Sequence, residues 1–251
     1  MNAARPPNCR YSGRMSGVLA KKFGRKNSSW ELREYVEELA GEARDFFRPN
    51  FFVNTPDILH EYLQEGGRPA FEARAVLAAT LSPSWGMYSG YEHVESVPVR
   101  AGTEEYVDSE KYEIKHRDWD RPGNLREYIT RINTIRRENP ALLSNAGLRF
   151  LESESEQILF YAKTDAGSTN VVLVAVNLDP HHAHQGWVEV PIEDWGIAEQ
   201  ETYQVHDLIG TARYLWHGRR NPVRLDPQQS PAQVFKLRRR VRSERDFDYF
   251  I

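Results

Sequence analysis

The spacing of apolar residues changes once along the chain, from helical before about residue 140 to alternating after it. Ser28-Ser29 offers an N-cap, and Trp30, Leu32, Tyr35, Val36 and Leu39 follow at helical spacing, with Glu31 and Glu34 early in the helix where its dipole favours acids. Arg48-Pro49-Asn50 breaks that helix. Phe51-Phe52-Val53 is short and apolar enough to be a buried strand, and it runs straight into Asn54-Thr55-Pro56-Asp57. Ile58 to Leu63 predicts a short helix or turn, closed by Gly66-Gly67. Ala70 to Thr80 ("AFEARAVLAAT") predicts a helix packed on a sheet, and Trp85 to Tyr88 a second short strand closed by Gly90. Strand, helix and strand with short joints predict a parallel α/β layer.

Asn124 to Asn139 returns to helix, with Leu125, Tyr128, Ile129, Ile132 and Ile135 on one face and Pro140 as the stop. Beyond it the period is two. "QILFYAKT", "TNVVLVAVNLD", "GWVEVPI", "TYQVHDLI" and "PAQVFKLRR" are strand-like runs separated by Gly, Pro, Asn and Asp. They predict an antiparallel β-sandwich of roughly ninety residues, followed by a short tail "SERDFDYFI".

Composition narrows this picture. A chain of 251 residues, 40% hydrophobic and 12% aromatic, can bury one large core or two modest ones. No long apolar run and no apolar leader is visible, so neither a membrane span nor ordinary export is expected and the chain reads as cytoplasmic. The single Cys9 cannot form an internal disulfide, and no zinc-finger spacing occurs, so neither a staple nor a metal or other cofactor is expected. The net charge of −3 is unevenly spread: residues 1–30 hold seven Lys/Arg and no acid, leaving 26 basic against 36 acidic residues in a body of −10. The basic leader lacks interleaved aromatics and amphipathic spacing, so nucleic acid and membrane are not expected as partners. Residues 1–22 read as unstructured.

Candidate chemistry is sparse. In a parallel β/α barrel, reacting groups project from the C-terminal ends of strands, and Asp57 occupies such a position; its plain alternative is a cap on the helix beginning at Ile58. Lys111-Tyr112, within "EEYVDSEKYEIKHRDW", offers a cation and a hydroxyl to an anionic or sugar ligand, or else a solvated loop. His181, His182 and His184 follow a turn, which reads as a surface hairpin rather than a metal site. The tryptophans Trp85, Trp119, Trp187, Trp195 and Trp216 could stack on sugars, although such residues are usually core. No phosphate-binding glycine loop or serine elbow is present.

Four segments in order, "RPNFFVNTPDIL", "RAVLAATLSPSWGMYSGYE", "EEYVDSEKYEIKHRDW" and "ITRINTIRRENPAL", resemble the C-terminal portion of the maltose-1-phosphate maltosyltransferases. These are the GlgE-type glucan-extending enzymes of the α-amylase superfamily, in glycoside hydrolase family 13. The likeness starts near Phe23 and reaches about Arg240, with "DLIGTARYLWHGRRNPVRLDPQQSPAQVFKL" similar to the family's C-terminal β domain. It implies residues 23–143 as the C-terminal part of a (β/α)8 TIM barrel, residues 144–240 as a β-sandwich domain, and residues 241–251 as a tail.

The resemblance further implies retaining transfer of maltosyl units from α-maltose 1-phosphate to the 4-hydroxyl end of an α-1,4-glucan. Asp57 matches the carboxylate that stabilises the transition state, and Lys111 and Tyr112 match the pair that contacts the donor phosphate. The nucleophile and acid/base belong to strands preceding residue 23 in the family, so the chain is expected to be a fragment, inactive and poorly soluble or partly unfolded alone, with exposed strand edges. Its expected partners are the N-terminal portion of the enzyme and, when intact, a second copy in a homodimer. The alternatives are a non-catalytic carbohydrate-binding or interaction module, or a fragment of another amylase-superfamily enzyme such as a trehalose synthase or branching enzyme.

Overall fold

A computed structural model describes residues 23, 26–41, 44, 49–109 and 114–238. Residues 1–22 with most of the basic leader, the tail 241–251, and Lys111 and Tyr112 lie outside the described residues.

Helix α1 spans Ser29–Ala40 and begins at a capping box: Ser28 Oγ accepts from Glu31 N–H at 3.3 Å while the Glu31 carboxylate accepts from Ser28 N–H at 3.3 Å. Leu32, Tyr35, Val36 and Leu39 form its buried stripe. Trp30, expected with them, stands 69% exposed. Two residues of helix turn the chain by about 200°, which puts Trp30 on the side opposite Leu32.

Strand β1 (Asn50–Phe52) pairs in parallel with β2 (Ser84–Gly86), in the register Asn50↔Ser84, Phe51↔Trp85 and Phe52↔Gly86. The crossover carries a short helix α2 (Glu61–Glu65) and the long α3 (Gly67–Leu81). Phe51 is fully buried beneath Phe23, with ring centroids 4.2 Å apart, and Tyr35 at 6.0 Å. Neither strand's outer edge pairs with another described strand.

Every residue of α3 from Ala70 to Leu81 is buried, because α4 (Arg126–Glu138), β1 and the face of a large sheet surround it. Two polar networks make that burial tolerable. At its middle, Arg74 donates to the carbonyls of Phe23 (3.2 Å) and Lys26 (2.9 Å) and to the Asn27 side chain, between the rings of Phe23 and Tyr62. At its C-terminus, Arg136 donates to Ala79 O, Ser82 O (3.0 Å) and Pro83 O (2.8 Å), and Asn145 Nδ2 to Leu81 O (2.9 Å). A helix ends in unpaired carbonyls at the negative end of its dipole, so a guanidinium suits this place.

The second half of the chain is antiparallel. Strands β3 (Leu148–Leu151), β4 (Ile158–Thr164), β5 (Val171–Asn177), β7 (Thr202–Asp207), β8 (Arg213–His217) and β10 (Ala232–Arg238) form a sheet in the order β3-β4-β5-β10-β7-β8. β6 (His184–Glu189) and β9 (Arg220–Leu225) form a two-stranded partner. The alternation along β5 explains why its whole length reads apolar: Val172, Val174 and Val176 pack into the core shared with α3, while Val171, Leu173 and Ala175 join the core beneath β6 and β9. The helical layer and the sheet therefore share one continuous core.

The predicted strands recur with shifted or shorter bounds, and three further strands, β3, β8 and β9, escape the sequence reading. β8 and β9 carry Arg213, Arg220 and Arg224 on exposed positions, and β9 also contains Pro222, which is tolerated because β9 has a single partner strand. The turn holding His181 and His182 is not a hairpin: it passes from β5 in the large sheet to β6 in the small one. There Asp179 Oδ2 bonds the rings of His182 (2.9 Å) and His184 (3.0 Å), and Asn177 Nδ2 donates to His182 O at 2.8 Å.

Candidate active site

The C-terminal ends of β1 and β2 are clasped by one amide. Val53 N–H donates to Gly86 O at 3.0 Å, extending the strand pair by a residue, and Asn54 follows, 2% exposed. Its Oδ1 accepts from Tyr88 N–H at 2.8 Å and its Nδ2 donates to Tyr106 OH at 2.6 Å. Tyr106 packs against Tyr88, ring centroids 5.6 Å apart, and burial pushes its hydroxyl well above the usual phenol range, so it stays a neutral hydrogen-bonding group. Asn54 thus ties together the strand ends and the loop leading to residue 109. Replacing it by Ala leaves Tyr88 N–H and the Tyr106 hydroxyl without this partner, which is expected to lower unfolding free energy by about 2–3 kcal/mol. Urea denaturation of both proteins checks this, and a loss below about 0.5 kcal/mol would show that the clasp is dispensable.

Asp57 sits beyond the clasp on a tight turn closed by the backbone pair Thr55 N–H to Ile58 O (3.2 Å) and Ile58 N–H to Thr55 O (3.1 Å). Its side chain is exposed. The helix-capping alternative fails here, because α2 starts only at Glu61 and its N-cap is His60, whose Nδ1 accepts from Tyr62 N–H at 3.2 Å. Asp57 therefore stands exposed on the turn that follows the C-terminal end of β1.

Residues on either side of the stretch that holds Lys111 and Tyr112 are described. Ser109, 7% exposed, lies 3.4 Å from the Tyr88 hydroxyl. On the far side, Lys115 (3.1 Å) and Arg117 (2.9 and 3.2 Å) hold the carboxylate of Glu95. Burial raises the Glu95 carboxyl, but the hydrogen bonds from Arg117 and Lys115 outweigh it and leave the group below its ordinary value. The turn before Glu95 needs Gly90, whose φ is +101° and where a Cβ would collide with the Glu95 carboxylate. Asn54, Tyr88, Tyr106 and the Glu95 trio are absent from the sequence-level site list, since their partners lie 34 to 52 residues away or across a loop. Among the tryptophans, Trp195 and Trp216 are core, Trp85 is half-buried with Nε1 3.3 Å from Asn133 Oδ1, and Trp119 and Trp187 are exposed.

A family model described as "GLGE, C-terminal" matches residues 150–237. The chain is 52% identical over 221 residues to alpha-1,4-glucan:maltose-1-phosphate maltosyltransferase 2 of Streptomyces coelicolor, covering 86% of this chain and 33% of that protein. It is 47% identical over 229 residues to the Myxococcus xanthus maltosyltransferase, covering 91% and 34%. This chain is a relative of the C-terminal third of the maltose-1-phosphate maltosyltransferases.

It spans about a third of the length of these curated maltosyltransferases. Among solved structures, an Anoxybacillus α-amylase superposes with a TM-score of 0.65 at 13% identity, covering 91% of this chain and 46% of that one. A Geobacillus thermoleovorans α-amylase gives 0.61 at 14%, covering 90% and 47%. At such identities the likeness speaks for fold: an amylase-like arrangement in which a largely antiparallel β region packs against a β/α layer.

Proposed function

We propose that this chain supplies the C-terminal third of a retaining maltosyltransferase, which moves maltosyl units from α-maltose 1-phosphate to the 4-hydroxyl end of α-1,4-glucans. The observation that carries the reading is 52% identity, across 86% of the chain, to a protein named for that reaction. In this reading β1, α3, β2 and α4 are the last strands and helices of an eight-fold β/α barrel. The parallel register and the outer strand edges that no described strand covers support it, because parallel strands are normally paired on both sides. The N-terminal portion of the enzyme is then the partner that completes the barrel, in a cytoplasmic homodimer that needs no cofactor. The domain division at residues 143 and 144 follows the change from helical to alternating period.

The chemistry assigned to the whole enzyme runs in two displacements. A carboxylate from the N-terminal portion attacks the anomeric carbon, and the C–O bond to phosphate breaks with its electrons leaving on the phosphate. The glucan 4-hydroxyl then attacks the anomeric carbon of the glycosyl-enzyme ester, whose C–O bond breaks with its electrons returning to the first carboxylate, while the hydroxyl proton passes to a second carboxylate. Asp57 carries the third role, stabilising positive charge on the sugar ring as each bond breaks. Lys111 and Tyr112 supply an ammonium and a phenol to the donor phosphate, and chain connectivity keeps Lys111 within two residues of the anchored Ser109. The Asn54 clasp ties the strand end before the Asp57 turn to Tyr88 and Tyr106.

Co-expression with the N-terminal two thirds of the Streptomyces coelicolor relative tests the reading. The pair is expected to release phosphate from α-maltose 1-phosphate, whereas this chain alone does not. Turnover by the chain alone, or a stable complex that is inert, would overturn it.

A further inference from the structure

Trp30 stands 69% exposed on the first turn of α1, facing a groove of about 740 Å³ between that helix and the polypeptide linking β3 to β4. Ser28, Ser29, Ser153, Glu156 and Gln157 line it. The walls are fixed from below. Arg33 donates to Leu151 O at 2.5 Å and lies 5.4 Å from the Phe150 ring centroid, Ser153 Oγ donates to Ser155 O at 3.2 Å, and the capping box holds Ser28 and Glu31. The side chains of Ser29, Glu156 and Gln157 take no hydrogen-bond partner among the described residues, so their polar groups remain available at the groove.

A flat indole ringed by hydroxyls, an amide and a carboxylate matches the two faces of a pyranose, its C–H surface and its hydroxyl rim. The lining carries no run of like charge that would select an ion. The larger groove at the start of α4 differs. Its Arg68, Arg126 and Arg131 are already spent on the carbonyls of Gly123, Trp119 and Leu208, which makes it a set of loop anchors. We propose that the Trp30 groove is a second binding site for neutral α-glucan chains, separate from the Asp57 face, with Trp30 as its stacking platform. The choice of α-glucan rests on the function proposed above; the existence of a sugar site rests on the groove.

Titration of the 251-residue chain with maltoheptaose, followed through the side-chain N–H signals of its tryptophans, tests this. The Trp30 signal is expected to shift saturably, Trp30→Ala to weaken binding at least tenfold with an unchanged thermal midpoint, and Asp57→Asn to bind as the parent does. No saturable shift at Trp30, or undiminished affinity in Trp30→Ala, overturns the site. Burial of Trp30 when the chain is co-expressed with the N-terminal portion of a relative does so too, because the groove is then an internal seam. Each of these failures leaves the phosphate-release test untouched, so the two proposals fail separately.

Discussion

Asp57→Asn, introduced into the chain and paired with the N-terminal two thirds of a relative, is expected to cut phosphate release from α-maltose 1-phosphate by about 10²–10³-fold. The amide keeps the shape of the carboxylate and removes its charge, so the loss should fall on kcat more than on KM, as it does when an interaction strengthens only in the transition state. Stability is expected to change little. The turn carrying Asp57 is closed by backbone hydrogen bonds between Thr55 and Ile58, its side chain is exposed, and His60 caps the helix that follows. Steady-state kinetics on the variant, with thermal unfolding alongside, separates the two effects. Near-parental activity would remove Asp57 from the reaction.

Lys163→Met is expected to stabilise the chain near neutral pH and to lose that advantage in alkali. The Lys163 ammonium is fully buried on β4, and Nζ donates to Asn145 Oδ1 at 2.7 Å. Burial, and then the positive charge of Arg136, push its pKa down to about 7. In the unfolded chain the same group titrates near 10.4, roughly 3 units higher. Above about pH 10.4 both states are neutral and the lysine costs nothing; as pH falls the unfolded chain takes up the proton first, and stability drops until about pH 7, where the folded lysine charges as well. That gap corresponds to roughly 4 kcal/mol at neutral pH. Methionine removes the penalty and forfeits a hydrogen bond to Asn145 worth about 1–2 kcal/mol, for a net gain of about 2–3 kcal/mol at pH 7. At pH 10 little penalty is left, so the same variant should be less stable than its parent by about 1 kcal/mol. Urea denaturation at the two pH values reads the change of sign. A variant destabilised equally at both would mean that folded Lys163 titrates as it does in the unfolded chain, with no penalty for its burial.

The parallel pair was legible from its composition, since Phe51-Phe52 and Trp85 stand between breakers and flank an Ala-rich helix. β4 and β5 were equally plain, because strands buried on both faces read as continuous apolar runs, and in β10 only Gln233 and Lys236 interrupt the run from Ala232 to Leu237. β8 and β9 were not. Their outward positions carry arginine, and Trp216, Val223 and Leu225 pack into a core between the two sheets that the local pattern does not reveal. Trp30 fits helical spacing loosely enough to be grouped with Leu32, and only the direction of the buried stripe separates them.

Buried charge was the least visible feature. Arg74, Arg136 and Lys163 look like surface residues in a string of letters; what buries them is the carbonyl-rich end of α3 and the segment at Phe23 and Lys26, and no local signal reports such distant acceptors. At the site, strand-end position made Asp57 a candidate and family resemblance gave it a role. The Asn54 clasp needs Tyr88 and Tyr106, which only the folded loop brings to it.

Product analysis bears most directly on the proposed reaction. Incubating the co-expressed pair with α-maltose 1-phosphate and a short α-1,4-glucan, then sizing the glucans by mass, should show free phosphate and chains that lengthen by one maltosyl unit at a time. Glucans that shorten without phosphate release would mark an amylase-like hydrolase and contradict the assignment.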